Sequence, residues 1–215
     1  GKTLVAASLL HTLTSRGYRC VGMKPVASGC TPAATGLHRS RDAEALLAHS
    51  SVQAEYVDVN PYSFVPAVAP HLAAAAAGQA ISLGKVQAHY ERLCDAADWV
   101  VVEGVGGWFV PLSDNTTVAD LARVLKLPVV LVVGMRVGCL NHALLTGDAI
   151  DRDGRMVAGW VANQIESEMS LFEKNVEALQ KRLAAPLLGV VPHLSAPDPS
   201  AISAYLDMGR LLTAA

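Results

Sequence analysis

Four short apolar runs, separated by stretches of helical composition, constrain the fold of this chain more than any other feature. They are DWVVVEG (98–104), LPVVLVVG (127–134), MVAGWVAN (156–163) and LLGVVP (187–192). Val-rich runs that do not alternate with polar residues are typical of parallel strands covered by helices on both faces. The sequence therefore predicts the α/β class, with residues 1–215 forming a single domain around one doubly wound, mainly parallel sheet.

The segment before the first of these runs adds one more strand and several helices to the prediction. VAASLLHTLTSRG (5–17) has helical composition and stops at a glycine, and YRCVGMKPV (18–26) is typical of a short strand. Residues 27–40 are rich in Gly, Pro, Ser and Thr, which predicts a loop before a helix capped by Ser40 or Asp42. Residues 58–70 are interpreted as a proline-broken connection, followed by helices within 71–78 and 81–97.

Composition excludes several classes of protein. With 17 basic and 19 acidic residues the formal net charge is −2, so nothing suggests a nucleic acid or an anionic membrane surface as a partner. The longest apolar runs are too short to span a bilayer, and no basic start precedes an apolar segment. The 4 cysteines and 7 histidines are scattered without zinc-site spacing. These features predict a soluble cytoplasmic protein with reduced thiols.

Charged, glycine-rich or amide motifs follow the predicted strands, where parallel sheets bind ligands. If the strand within residues 18–26 is counted as the first, Lys24 follows the first strand, Glu103 the second and Asn163 the fourth. The segment GMRVGCLNHA (134–143) follows the third. The chain also begins with Gly-Lys-Thr before a helix, which is how a phosphate-binding P-loop ends. Their occurrence together favours a nucleotide site.

These residue types suit phosphoryl transfer. A P-loop lysine, Lys2, would contact phosphates, and the hydroxyl of Thr3 would bind Mg²⁺. Glu103 would complete the metal shell with a hard oxygen, and Asp42 offers another if its loop folds inward. Three of the candidate residues also have a simpler interpretation. Glu103 is then a solvated charge, Asp42 a helix cap, and Lys24 an ordinary surface lysine.

Four longer segments resemble the dethiobiotin synthetase family of ATP-dependent enzymes. They are KPVASG, EGVGGWFVPLSD, LPVVLVVGMRVGCLNHALLT and GWVAN, and the likeness extends from Gly1 to about Pro192. The resemblance implies a P-loop NTPase-like fold and a reaction that joins CO₂ to 7,8-diaminopelargonic acid. A carbamate and then a carbamic–phosphoric anhydride would form at the expense of MgATP, and ring closure would give dethiobiotin, ADP and phosphate.

The resemblance also implies roles for individual residues. Lys2, Lys24 and Ser28 would be catalytic, with Lys24 between the carbamate and the γ-phosphate. Thr3, Asp42 and Glu103 would surround Mg²⁺. The remaining nucleotide contacts would be Gly1, Gly104, Gly106, Asn163, Pro192, Leu194 and Asp198, with Asn163 at the adenine edge.

The family resemblance further implies a homodimer whose substrate site is shared between subunits. The substrate would contact Lys24 and Ser28, and Gly106 and Gly107 in the glycine loop. The start of the helix after the third strand would reach the substrate of the other subunit through Gly138, Cys139, Leu140 and Asn141. An ordinary capped helix at an interface is the alternative for this segment.

The family pattern contains a strand and most of a P-loop before the Gly-Lys-Thr, so the resemblance leads us to expect one more strand than residues 1–215 supply. Three alternatives to a dethiobiotin synthetase are a cobyrinic-acid-amidase type of amidotransferase, a nucleotide-switched ATPase of the partitioning type, and an inactive relative. The first would need a glutaminase domain, for which 215 residues leave no room. The second would be expected to carry a basic patch or a membrane helix.

Overall fold

The computed structural model describes residues 1–34 and 37–214, and its contacts divide the chain into two compact units. The N-terminal unit is Ala6–Leu125, and the C-terminal unit is Lys126–Ala215 together with Gly1–Val5. The single domain expected from the sequence therefore stays a prediction.

Within residues 6–34 and 37–125, the N-terminal unit contains four short strands that pair in parallel. They are β1 (Cys20–Met23), β2 (Val26–Ser28), β3 (Tyr62–Phe64) and β4 (Trp99–Val102), and β1 pairs with β4 while β2 pairs with β3. The helices are α1 (Lys2–Ser15), whose first residues belong to the other unit, α2 (Arg41–Ala48), α3 (Tyr56–Val59), α4 (Pro70–Ala76), α5 (Leu83–Ala96) and α6 (Val118–Leu125). Helix α2 contacts β1, α4 contacts β2 and β3, and α5 contacts β4.

Strand β1 is completely buried and lies very close to two helices. A Cβ atom added to Gly22 would lie 2.6 Å from Cβ of Leu46 in α2 and 2.9 Å from Cδ1 of Leu10 in α1. Both distances are shorter than a normal carbon–carbon contact, so only glycine allows helices α1 and α2 to approach this strand. Residues 5–10 of α1 are all buried, which fits a helix with no polar face over those positions.

The C-terminal unit contains one three-stranded parallel sheet. Strands β5 (Val129–Met135), β6 (Val157–Gln164) and β7 (Leu187–Val191) pair in that order, and helices α7 (Cys139–Arg152), α8 (Phe172–Gln180), α9 (Pro199–Ser203) and α10 (Met208–Ala214) complete the unit. Its core includes Trp160 and Ala162 from the central strand, Ala143 from α7 and Leu179 from α8. Residues 158–163 of β6 are buried without alternation, as expected for a strand covered on both faces.

The predicted α/β class with parallel strands is confirmed, but two local predictions were wrong. The strand expected over 18–26 ends at Met23, and a second strand, β2, occupies the first part of the segment predicted as loop. The proline-broken connection of 58–70 contains β3 and the end of α3. Pro61 does not prevent β3 because a proline is tolerated immediately before a strand. None of the helices within residues 1–34 and 37–214 has both the length and the apolarity needed to cross a membrane.

Candidate active site

Lys24 lies at the end of β1 and is buried. Its ammonium nitrogen is 2.7 Å from Oε1 of Glu103 and 2.8 Å from Oδ2 of Asp42, and it donates a further hydrogen bond of 3.3 Å to the Gly104 carbonyl. Only 4% of the Lys24 side chain and 3% of the Glu103 side chain are exposed. Neither is a surface charge, so the simpler interpretations of these two residues were wrong.

The pairing of two parallel strands brings Lys24 and Glu103 together. Met23 at the end of β1 is in register with Val102 at the end of β4, and the Glu103 N–H donates to the Met23 carbonyl at 2.8 Å. The residue that follows each strand therefore emerges at the same edge. This is the arrangement expected from the order of the motifs along the sequence.

Asp42 reaches Lys24 from the first turn of α2. Ser40, not Asp42, is the N-cap, because its hydroxyl accepts a hydrogen bond from the Ala43 N–H. The Asp42 carboxylate is thereby available to pair with the Lys24 ammonium, and it is partly exposed. One ammonium between two carboxylates leaves a local charge of −1, which favours binding of a cation.

The donor set of this cluster fits Mg²⁺. Two carboxylates supply hard oxygen ligands, and Mg²⁺ commonly uses one or two carboxylates together with phosphate oxygens. Among residues 1–34 and 37–214 there is no group of three or more His, Cys, Asp or Glu side chains that could hold a metal ion. Asp42 and Glu103 are the two carboxylates of this cluster that could hold a metal ion.

The glycine loop and Ser28 lie in the same unit. Gly106 has a φ of +65°, and a Cβ atom there would lie 2.5 Å from Cγ2 of Val110, so the turn requires glycine. Gly106 and Gly107 are exposed, which leaves their backbone accessible to a ligand. Ser28 ends β2 opposite Phe64. Burial raises the pKa of the nearby Cys30 thiol, which keeps this cysteine protonated and unsuited to act as a nucleophile.

In the C-terminal unit, Gly1 lies against Asn163. A Cβ atom added to Gly1 would lie 2.1 Å from Nδ2 of Asn163, which is a buried side chain near the end of β6. Helix α1 begins at Lys2 and continues through Thr3, and the Gly1 carbonyl accepts a hydrogen bond from the Val5 N–H. The Gly-Lys-Thr segment thus forms the start of a helix, as in a P-loop.

The four residues predicted to contact the substrate at the start of α7 differ in their exposure. Gly138 is the N-cap, with a φ of +91°, and Asn141 is exposed. Cys139 is buried in the core of this unit, and Leu140 packs against that core. The Cys139 N–H donates to the Arg136 carbonyl at 3.0 Å. Of these four residues, Asn141 has the side chain most accessible to a substrate.

The three residues predicted after β7 do not share one environment. Pro192 and Leu194 are half-buried. Asp198 is exposed and is the N-cap of α9, where its carboxylate accepts hydrogen bonds from the Ala201 N–H and the Ser200 hydroxyl. Contacts of all three residues with the nucleotide base or ribose stay predictions.

Two buried polar groups next to Lys24 were missed from the sequence. Tyr56 begins α3, and Asn60 follows its end in the segment predicted as a connection. The Tyr56 hydroxyl accepts a hydrogen bond from the Ser40 N–H, and the Asn60 amide donates one to the Lys24 carbonyl. Asp58, also on α3, bonds to His89 at 2.7 Å and to Arg92 at 2.8 Å. An Asn-Pro pair usually indicates a turn, so the sequence contained no signal for these roles.

Comparisons with known proteins identify the family of this chain. A family model described as an AAA domain matches residues 1–201. The ATP-dependent dethiobiotin synthetase of Pseudomonas aeruginosa is 51% identical over 212 residues, which cover 98% of this chain and 92% of that protein. The ATP-dependent dethiobiotin synthetase of Cellvibrio japonicus is 48% identical over 214 residues, covering 100% of this chain and 93% of that protein.

Among solved structures, the MinD cell division protein of Aquifex aeolicus matches with a TM-score of 0.59 and 15% sequence identity, covering 100% of this chain and 92% of that one. Identity at this level shows the fold alone, which is P-loop NTPase-like. The curated relatives are far more similar in sequence and match over nearly the whole chain. This chain therefore belongs to the ATP-dependent dethiobiotin synthetase family.

Proposed function

We propose that this protein carboxylates 7,8-diaminopelargonic acid with CO₂ and closes the product to dethiobiotin, using ATP and releasing ADP and phosphate. The observation that supports this most directly is the buried ammonium of Lys24, which lies 2.7 Å from Glu103 and 2.8 Å from Asp42. A reaction that carboxylates an amine and transfers a phosphoryl group needs a fixed positive charge beside a metal site. In this proposal Lys24 supplies the charge, and Asp42 and Glu103 would supply the metal site.

In this proposal Lys24 stabilises negative charge on the carboxylated amine and on the terminal phosphate. Glu103 and the Gly104 carbonyl hold its ammonium in place before substrates arrive, so little reorganisation is needed during the reaction. A preorganised charge of this kind contributes about 3 kcal/mol or more to transition-state stabilisation. Ser28 and the backbone of Gly106 and Gly107 would contact the diamine.

Mg²⁺, when bound with ATP, would neutralise charge on the phosphates. Asp42 and Glu103 would hold it through carboxylate oxygens, and Thr3 through its hydroxyl. For Gly1 and Lys2 we propose the phosphate-binding role of a P-loop, because helix α1 starts immediately after Gly1. Asn163 would contact adenine, and the other predicted nucleotide contacts are Gly104, Gly106, Pro192, Leu194 and Asp198.

We also propose that the protein acts as a homodimer in which the start of α7 contributes to the substrate site of the other subunit. Two exposed apolar side chains support this proposal: Val137, which is 93% exposed just before α7, and Leu145, which is 60% exposed on α7. Contiguous exposed apolar patches mark surfaces that contact another protein, and in this proposal the two side chains would form part of one. Asn141 would then face the partner's substrate.

A cytoplasmic location is consistent with free thiols at all four cysteines.

The experiment is to mix the protein with the diamine, bicarbonate and MgATP, and to measure ADP release together with dethiobiotin by mass spectrometry. We expect both products in equal amounts, and neither when the diamine is omitted. Release of ADP at the same rate with and without the diamine would instead indicate a nucleotide-switched ATPase. Absence of both products from folded protein would contradict the proposed activity.

A further inference from the structure

A chain of buried hydrogen bonds connects the backbone of Lys24 with the backbone of Ser40, the N-cap of the helix that carries Asp42. The Tyr56 hydroxyl accepts from the Ser40 N–H at 2.7 Å and donates to Oδ1 of Asn60 at 3.1 Å. The Asn60 amide nitrogen then donates to the Lys24 carbonyl at 2.5 Å and to the Tyr62 carbonyl at 3.2 Å. Asn60 is completely buried.

One end of this chain fixes the backbone that carries the Lys24 ammonium. The Lys24 carbonyl accepts from Asn60, and the Lys24 N–H donates to the Val59 carbonyl at 2.8 Å. Both polar groups of the Lys24 backbone are therefore held by the end of α3. The position of this backbone determines where the ammonium at the end of the side chain can lie.

The other end fixes the helix that carries Asp42. Ser40 is the N-cap of α2, and its backbone N–H is held by the Tyr56 hydroxyl. Asp42 follows two residues later and pairs with Lys24 from a side chain that is 41% exposed. The Arg39 guanidinium lies 3.8 Å from the centre of the Tyr56 ring and covers it. Tyr56 thus fixes the N-terminus of α2, while Asn60 fixes the backbone of Lys24.

We propose that Tyr56 and Asn60 are positioning residues that keep the Asp42 carboxylate and the Lys24 ammonium in the geometry needed for catalysis. This inference rests on the proposed function, because it assumes that both charged groups take part in the reaction. A displacement of about 1 Å of a reacting group can lower a rate by about a hundredfold. Burial raises the pKa of Tyr56, so its hydroxyl stays protonated and can continue to donate to Asn60.

Tyr56→Phe is the variant that tests this role, since it removes one oxygen and keeps the ring. The chain offers a closely matched control in Tyr62→Phe. The Tyr62 hydroxyl also accepts a hydrogen bond, of 2.9 Å, from the backbone N–H of a serine, and that serine, Ser82, is also a helix N-cap. Both variants remove a hydrogen bond to the N–H of a serine that caps a helix, and Tyr56→Phe also removes the bond to Asn60. Of the two tyrosines, only Tyr56 bonds to the N-cap of the helix that carries Asp42.

We expect both variants to melt at a lower temperature than the wild type. At a temperature where both are folded, Tyr56→Phe should lower kcat about tenfold with less than about a twofold change in KM for the diamine. It should also raise the Mg²⁺ concentration needed for half-maximal binding of a fluorescent ATP analogue, a measurement that needs no turnover. Tyr62→Phe should leave kcat and the Mg²⁺ dependence unchanged.

A double-mutant cycle tests whether Tyr56 acts through Asp42. In an Asp42→Asn background, Tyr56→Phe should lower kcat by less than about twofold, because the group that it positions is already missing. Equal effects of Tyr56→Phe in the two backgrounds, or equal losses of kcat in Tyr56→Phe and Tyr62→Phe, would overturn the inference. Either result obtained with active wild-type enzyme leaves the proposed function standing, whereas inactive wild-type enzyme contradicts that function itself.

Discussion

The ammonium of Lys24 donates a hydrogen bond of 2.7 Å to Glu103, and both side chains are almost completely buried. Removing two charges from water costs free energy, and only their mutual attraction and further hydrogen bonds offset that cost. The pair is therefore weak evidence for stability. In the proposed function the pair holds a positive charge at a fixed position for the reaction.

Replacing Lys24 by methionine should abolish most of the activity and also destabilise the protein. The loss of a preorganised charge should lower kcat by about a hundredfold or more. Burial of the Glu103 carboxylate without the Lys24 ammonium should lower the free energy of unfolding by about 3–5 kcal/mol. Adding Glu103→Gln should restore much of the stability without restoring activity. Urea unfolding and the coupled ADP and dethiobiotin assay measure the two effects. Recovery of activity in the double variant would exclude a catalytic role for Lys24.

Mixing two inactive variants should restore activity if the substrate site is shared between subunits. We expect Lys24→Met and Asn141→Ala each to be inactive alone, because each lacks one contribution to every site. In mixed dimers one of the two sites has both wild-type residues, so random exchange should restore about a quarter of the wild-type activity. Size-exclusion chromatography with light scattering measures the dimer in parallel. Dimers that exchange subunits but recover no activity would contradict a shared site.

Gly22→Ala should destabilise the N-terminal unit. The new methyl group would lie 2.6 Å from Cβ of Leu46, so α2 or β1 must shift, at a cost of about 1–3 kcal/mol. Gly84→Ala is the matched control, because its Cβ atom would meet nothing closer than 3.8 Å and alanine favours a helix over glycine by about 0.5–1 kcal/mol. Thermal unfolding should show opposite signs for the two variants. A neutral Gly22→Ala would mean that α2 is not tightly packed on β1.

Asp58→Asn should change how stability depends on pH. Burial raises the pKa of Asp58, but hydrogen bonds from His89 and Arg92 outweigh it and hold the pKa below the usual value. The ionised carboxylate therefore stabilises the fold above about pH 4, the pKa of an unfolded aspartate, and this contribution is lost as the pH falls through the lower folded-state pKa. Urea unfolding should show the largest difference between wild type and variant near neutral pH, and a smaller one at about pH 3.

The control for this experiment is Asp95→Asn, which changes an exposed aspartate on α5. We expect it to alter the free energy of unfolding by less than about 0.5 kcal/mol at either pH. If the difference between wild type and Asp58→Asn is the same at both pH values, the Asp58 carboxylate does not contribute through its ionisation.

Much of the site could be predicted because its residues follow the strands directly. Lys24 and Glu103 are each the first residue after an apolar run, and parallel pairing places such residues at one edge of a sheet. Asp42 was predicted as a conditional ligand, and its pairing with Lys24 shows that its carboxylate is directed toward the cluster. Local sequence signals were sufficient for these three residues.

The sequence by itself determined the α/β class, the parallel strands and the motifs at their ends, because Val-rich runs and strand-end residues are local features. Only the tertiary structure decided that β2 and β3 pair and that Tyr56 and Asn60 bond to the backbone of Ser40 and Lys24. The strand pairing, the Tyr56 bond to Ser40 and the Asn60 bond to Lys24 join residues 16 to 36 positions apart in the chain. A short strand or a buried amide gains its free energy from such partners, and the adjacent sequence does not specify them.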